Sequence, residues 1–247
     1  MSEGRIAIVT GSSRGIGRAI ALAIVGAGCR VVVNYRESRE AALAVQQEAQ
    51  ERVSGSCLVI KADVTREAEI EAMIDETLRH FGRLDILVNN AGISDPCGFL
   101  EVDLARWSRM MEANLTSAFL CCRAVLPHMV KQKWGRIINI SSTSGLTGGT
   151  SGAHYAAAKG GMIAMTKALA SEFAPKGITV NAVVPSKIDT GMLRSALGTG
   201  GTDALIRRIP VGRLGTAEEI AGLAVYLASE QAGYITGEAI VASGGYR

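Results

Sequence analysis

A doubly wound α/β fold, a parallel sheet covered by helices on both faces, is the architecture this chain predicts. Short β-branched runs alternate with Ala-rich or charged amphipathic stretches from end to end. The runs are near-continuously apolar, as parallel strands buried on both faces require, and Gly punctuates most junctions. Residues 6–10 read as the first strand and 17–25 as the helix after it. The pattern repeats with strands at 30–34, 57–61, 84–89, 136–140, 178–184 and 239–241, and helices at 38–52, 66–81, 104–133, 155–173 and 217–228. No linker, low-complexity tract or internal repeat interrupts it, so residues 1–247 are expected to form one domain. The least regular stretch, 186–210, is rich in Gly and Thr and reads as a mobile loop over a site.

Hydrophobic residues make up 48% of the chain, enough for a sizeable core. A net charge of +3, with no basic stripe interleaved with aromatics, argues against nucleic acid as a partner. The five cysteines (Cys29, Cys57, Cys97, Cys121 and Cys122) are odd in number and lack Cys-x-x-Cys spacing. That argues against a disulfide framework or a zinc site and for a reducing compartment. Met-Ser-Glu-Gly-Arg leads into the first strand without a signal-peptide pattern, and charge or Gly breaks the apolar stretches. A soluble cytoplasmic protein with no membrane partner is expected.

The first strand runs into Thr10-Gly11-Ser12-Ser13-Arg14-Gly15-Ile16-Gly17 and then a helix. Glycines here let the backbone approach a phosphate closely, and the helix N-terminus aims amide N–H groups at the anion. The spacing Gly-x-x-x-Gly-x-Gly differs from the standard Gly-x-Gly-x-x-Gly, and an ordinary tight turn would look the same. Its place between first strand and first helix favours a dinucleotide. The second strand tip reads Asn34-Tyr35-Arg36-Glu37, with a base where NAD binders usually carry an acid. Arg36, with Arg14 in the turn, would favour the 2′-phosphate of NADP(H), NAD(H) remaining possible; both could equally be solvated. Asp63, beside Val64 after the third strand, would accept from an adenine amino group or cap a helix beside Thr65. Asn90-Ala91-Gly92 ends the fourth strand with small residues against which a cofactor could lie.

Tyr155 and Lys159, four residues apart, share one face of a helix. An ammonium near a phenol favours the phenolate and lowers its pKa, and 152–174 offers the lysine few carboxylates. The fifth strand runs into Ser141-Ser142, at the carboxyl ends of the strands where ligands bind in such sheets. Either serine could be structural. His80, His128 and His154 are scattered, no cluster of metal ligands stands out, and His154 reads as pocket wall or interface.

Thr10–Gly17, Asn89–Gly92, Asn114, Ser142, Tyr155 and Lys159 together resemble the short-chain dehydrogenase/reductase family, over essentially the whole chain. The resemblance implies a Rossmann-like, seven-stranded parallel sheet and an oxidoreductase acting on a carbonyl–alcohol pair. It implies Tyr155 as proton donor, Lys159 as the group that lowers its pKa and binds the nicotinamide ribose, and Ser142 as the carbonyl-oxygen partner. Asn114 would hold a water linking Lys159 to solvent. Where the family has Pro-Gly after the sixth strand, this chain has Pro185-Ser186-Lys187-Ile188-Asp189-Thr190. Gly tolerates backbone angles that Ser does not, so Ser186 puts the local loop geometry in question. Ile188 would still offer backbone groups to the carboxamide, and Thr190 would reach the cofactor phosphates.

Within the family the chain is most like bacterial 3-oxoacyl-acyl-carrier-protein reductases, through residues 134–142, 155–160 and 211–215. That implies an acyl-thioester substrate. Lys131, Lys133 and Lys176 could face an acyl carrier protein, or be ordinary solvated charges. The segment 93–99 departs from those reductases, which leaves sugar, small-ketone and cyclic-alcohol dehydrogenases of the family open, and remotely a non-catalytic dinucleotide sensor. Ala156, Ala157, Ala158, Gly160, Gly161, Ala164 and Ala168 allow close helix approach, and a homotetramer or homodimer is expected.

Overall fold

A computed structural model describes residues 4–197 and 201–246. Seven parallel strands form one sheet in the order β3-β2-β1-β4-β5-β6-β7. They are β1 (Ile6–Val9), β2 (Arg30–Tyr35), β3 (Cys57–Lys61), β4 (Ile86–Asn89), β5 (Gly135–Ile140), β6 (Ile178–Pro185) and β7 (Ala239–Ala242). The order reverses between β1 and β4, and in sheets of this kind the crevice at that reversal, outside the carboxyl ends, is where ligands sit. The apolar strand runs bury both their faces: every residue of β1, β4, β5 and β6 is buried.

On one face α1 (Gly15–Gly26), α2 (Arg39–Arg52) and α10 (Ala217–Leu227) close a core with Val9, Val31, Val33, Val88 and Ile138. On the other, α3 (Glu67–Phe81), α5 (Ser117–Gln132) and α7 (Ala153–Phe173) pack on Ile8, Val32, Leu87, Ile137 and Val180. Alternate residues of one strand thus feed opposite cores, the period of two expected of a pleated chain.

Residues 104–133 do not form the single helix that the sequence suggests. The segment is α4 (Leu104–Met111), a π-helical turn at Glu112–Thr116, then α5. The wider turn carries Asn114, which is fully buried. Such turns are rare and recur at functional sites. A short α6 (Ser144–Thr147) lies between β5 and α7. The stretch 186–210 is also more ordered than its composition suggests, holding α8 (Gly191–Leu197) and α9 (Gly201–Ile206). Residues 198–200 of that expected loop lie outside the described residues.

Candidate active site

The carboxyl ends of β1, β4, β5 and β6 bring most of the predicted site residues together. At the end of β1 the turn is stitched to both neighbouring strands. Gly11 N–H donates to Asn34 Oδ1 (3.0 Å) and Asn34 Nδ2 to the Ala62 carbonyl (3.0 Å). Ser12 Oγ donates to the Val9 carbonyl (2.6 Å) and accepts from Asn34 N–H (3.1 Å). Asn34 and Ser12 are buried, so their side chains hold the turn instead of facing the crevice. From the other side Asn90 Nδ2 donates to the carbonyls of Thr10 (2.9 Å) and Gly11 (3.1 Å). Thr10, whose side chain the sequence reading left without a role, accepts from the N–H groups of Asn90 and Ala91, each at 3.0 Å.

This stitching leaves no space for side chains inside the turn. A Cβ on Gly11 would stand 3.0 Å from Ala91 Cα, with φ at +61°. One on Gly17 would stand 2.4 Å from Asn90 Nδ2, 2.7 Å from the Gly11 carbonyl oxygen and 2.9 Å from Ser12 Cα. Gly17→Ala is therefore expected to cost about 1–3 kcal/mol of stability through overpacking. It should also weaken dinucleotide binding; thermal unfolding and calorimetric titration check both. Unchanged unfolding would show that the turn is slack. The α1 N-terminus behind the turn has no side-chain cap and no acidic residue in its first turn. Its N–H groups and positive dipole end remain free for a phosphate, with Ser13, Gly15 and Ile16 at the open edge.

Past β2, Tyr35 is buried, and Arg36 is exposed beside Glu37 at 2.7 Å. Burial raises the Asp63 carboxyl, but hydrogen bonds from Thr65 and the charges of Arg36 and Arg66 outweigh it and hold it below the ordinary range. Asp63 Oδ1 accepts from Thr65 N–H (3.0 Å) and hydroxyl (2.8 Å) and Asp63 N–H donates to Glu69 Oε2 (2.7 Å), a local turn before α3, and Val64 beside it is buried. Arg66 and Arg36 thus both bear on Asp63, and Arg66 is also paired with Glu69 (3.7 Å). Arg14 is exposed at the lip of the turn.

The reactive end is built by close approach of α6 to α7. A Cβ on Gly145 would stand 2.6 Å from the Lys159 carbonyl carbon and 2.7 Å from Gly160 N, so only Gly lets these helices touch. The two candidate serines separate cleanly. Ser141 is buried and donates to the Lys159 carbonyl (2.9 Å), a structural clamp. Ser142 accepts from Ser144 N–H (3.2 Å), and its side chain stands close enough to the Tyr155 hydroxyl to act on it.

Lys159 is 4% exposed; its Nζ donates to the Ile140 carbonyl (2.9 Å) and stands 5.9 Å from the Tyr155 ring centre. Burial lowers its pKa to about 8. Burial raises the Tyr155 phenol above its ordinary value, and the nearby Ser142 side chain offsets this only in part. In the cofactor-free protein burial therefore dominates the phenol, while the Lys159 ammonium is held on the Ile140 carbonyl.

Asn114 Nδ2 donates to the carbonyls of Ile93 and Met110, both at 3.1 Å. Its Oδ1 is buried with no partner among the described residues. A Cβ on Gly92 would lie 2.4 Å from that oxygen and 3.6 Å from Lys159 Nζ, so both groups converge beside Gly92. The height of α7 on the sheet is fixed by a buried relay that sequence inspection passed over. Asn89 Nδ2 donates to Asn139 Oδ1 and Asn139 Nδ2 to Thr166 Oγ1, each at 2.8 Å.

After β6, the Pro185 carbonyl accepts from Thr143 N–H (3.0 Å). Ile188 is buried and bridges to Gly215, and Thr190 Cγ2 lies 3.9 Å from a Cβ built on Gly15. The loop therefore spans the crevice from Ser142 to the phosphate turn. Among the described residues Lys133 alone of the non-glycines has positive φ, so Ser186 sits in an ordinary conformation and the strain expected there is absent. His154 is fully buried, with neither ring nitrogen partnered among the described residues, and packs on Gly152 near the Cys97 carbonyl. Lys131, Lys133 and Lys176 are exposed, but they lie at the amino ends of β5 and β6, opposite the crevice.

A glycine turn feeding an uncapped helix and the residues Ser142, Tyr155 and Lys159 meet at the strand-order reversal, where sheets of this kind bind ligands. The family model described as "Enoyl-(Acyl carrier protein) reductase" matches residues 11–247, and the chain belongs to the short-chain dehydrogenase/reductase family of nicotinamide-dinucleotide oxidoreductases. It is similar to a 3-oxoacyl-[acyl-carrier-protein] reductase of Synechocystis, 43% identical over 98% of this chain and 96% of the relative. It is also similar to the reductases of that name from Aquifex aeolicus (40%) and Escherichia coli (42%), each over 98% of this chain and 97% of the relative. Among the described residues no helix is long and apolar enough to cross a membrane.

Proposed function

We propose that this chain is an NADPH-dependent reductase of 3-oxoacyl thioesters. The observation that carries the reading is the convergence of Tyr155 and the buried Lys159 beside Ser142, at the carboxyl end of β5. When bound, a reduced nicotinamide dinucleotide supplies the hydride. Ser142 and Tyr155 then hold the oxygen on which negative charge builds, and Tyr155, protonated at neutral pH, gives up its proton to it. Lys159 stabilises the phenolate left behind, and a water between Asn114 Oδ1 and Lys159 Nζ would return the proton from solvent. Gly11 to Gly17 would hold the pyrophosphate, Asp63 and Val64 would flank the adenine, and Pro185, Ile188 and Thr190 would line the other end. Arg36, Arg66 and Arg14 favour a 2′-phosphate, hence NADPH over NADH.

The 3-oxoacyl substrate follows the names of relatives matching nearly the whole chain, in preference to the enoyl substrate of the family model's description. The site agrees, since a serine beside the phenol suits a carbonyl oxygen. Phe99 and Leu100, 70% and 98% exposed beyond β4, offer apolar surface to an acyl chain. The test is NADPH consumption with acetoacetyl and crotonyl thioesters, sugars and cyclic ketones. Acetoacetyl thioester should be turned over fastest; faster consumption of crotonyl thioester or of a sugar would overturn the reading.

A homotetramer fits the surface that α7 leaves uncovered. Ala158 is buried, Gly161 packs on Leu115 and Gly160 on the Gly145 carbonyl, all within the protomer. Ala157, Ala164 and Ala168 stay exposed for a second copy. Lys133 and Lys176 lie away from the crevice, which favours ordinary solvated charges over a carrier-protein contact at those residues.

A further inference from the structure

Ser186 stands where the family carries Gly, and its backbone conformation gives no reason for either residue. Its hydroxyl does. Ser186 Oγ is buried and has no hydrogen-bond partner among the described residues. A buried hydroxyl without a partner is a net cost to a folded chain, so its retention calls for a partner that the described residues do not supply. Thr179 Oγ1 is likewise unpartnered, but Thr179 lies at the amino end of β6, away from the crevice.

The place of Ser186 narrows the partner. Its N–H donates to the Ala242 carbonyl (3.1 Å), and the preceding Pro185 carbonyl accepts from Thr143 N–H (3.0 Å), one residue beyond Ser142. Four residues later Thr190 reaches Gly15 in the phosphate turn. The segment 186–190 would therefore line a dinucleotide held by the Gly11–Gly17 turn, with Thr190 toward that turn and Ser186 toward Ser142. On the nicotinamide ring the one hydrogen-bonding group is the carboxamide, whose carbonyl accepts and whose amine donates. A hydroxyl serves either.

We infer that the Ser186 hydroxyl binds the nicotinamide carboxamide, an assignment that rests on the dinucleotide reading above. The experiment compares wild type with Ser186→Ala and Ser186→Gly. Calorimetric titrations use NADPH and 2′-phospho-ADP-ribose, which lacks the nicotinamide ring, and thermal unfolding is followed without cofactor. Ser186→Ala should bind NADPH about five- to tenfold more weakly and 2′-phospho-ADP-ribose as tightly as wild type. Without cofactor it should unfold about 2 °C higher, because an unsatisfied buried hydroxyl is gone. Ser186→Gly should share the NADPH loss, which separates the hydroxyl from the side-chain volume. Unchanged NADPH affinity in both variants, equal weakening of both ligands, or a lowered unfolding temperature for Ser186→Ala would overturn the assignment. Failure of wild type to bind either ligand would instead remove the dinucleotide reading, and this assignment with it.

Discussion

Tyr155→Phe is expected to lower the turnover of acetoacetyl thioester by about two to four orders of magnitude, the range that a positioned general acid supplies. The lost atom is the hydroxyl beside Ser142, and the ring, half-buried at the start of α7, stays in place. Binding of NADPH should therefore survive within a few-fold. Burial holds the phenol above its ordinary range, so in the free protein it is protonated throughout the neutral region, the form that carbonyl reduction needs. Steady-state kinetics beside calorimetric titration separates the two effects. A variant retaining more than about a tenth of the activity would remove Tyr155 from proton delivery.

Lys159→Met should abolish most activity while making the cofactor-free protein more stable near neutral pH. The Lys159 ammonium is almost wholly buried, and burial lowers its pKa from 10.5 to about 8. The folded chain thus holds this proton less tightly than the unfolded chain does. The resulting cost is present in full below about pH 8 and is relieved as pH rises toward 10.5. It is on the order of 3 kcal/mol. Methionine keeps the apolar stem but leaves the Ile140 carbonyl without its donor, so the net gain should be about 1–2 kcal/mol at neutral pH.

Other groups oppose the trend at higher pH. Cys57 and Cys122, raised by burial to about 12 from 9.0, and Tyr155, raised above 10.0, favour unfolding once pH passes their ordinary values. The difference between wild type and Lys159→Met cancels these common contributions. Denaturant unfolding from pH 7 to 10 should show the two proteins converging as pH rises. Parallel curves would mean that Lys159 is already neutral or well solvated in the folded protein.

Much of the architecture is legible in the chain because one physical pattern repeats. Near-continuous apolar runs such as 136–140 and 178–184 can be satisfied only by burial on two faces, and the intervening amphipathic stretches supply those covers. The break in 104–133 is not legible. The π-helical turn at Glu112–Thr116 is unmarked in the sequence and places Asn114 Oδ1 beside Gly92. The site shows the same division. Gly11, Gly15 and Gly17 announce a turn with close backbone approach, and Tyr155 and Lys159 announce a shared helix face.

Residue type and spacing along the chain thus determined the sheet-and-helix order, the phosphate turn and the identity of the phenol–ammonium pair, since these depend on short-range periodicity. Tertiary structure alone decided what each polar atom spends itself on. It tied Ser141 to the Lys159 carbonyl, turned Ser12 and Asn34 inward, pointed Lys159 at Ile140, set Arg36 and Arg66 on Asp63 and left Ser186 Oγ without a partner among the described residues. Hydrogen-bond partners lie tens of residues apart in sequence and within 3 Å in space, as from Asn34 to Gly11 or Asn90 to Thr10, so only the folded chain assigns them.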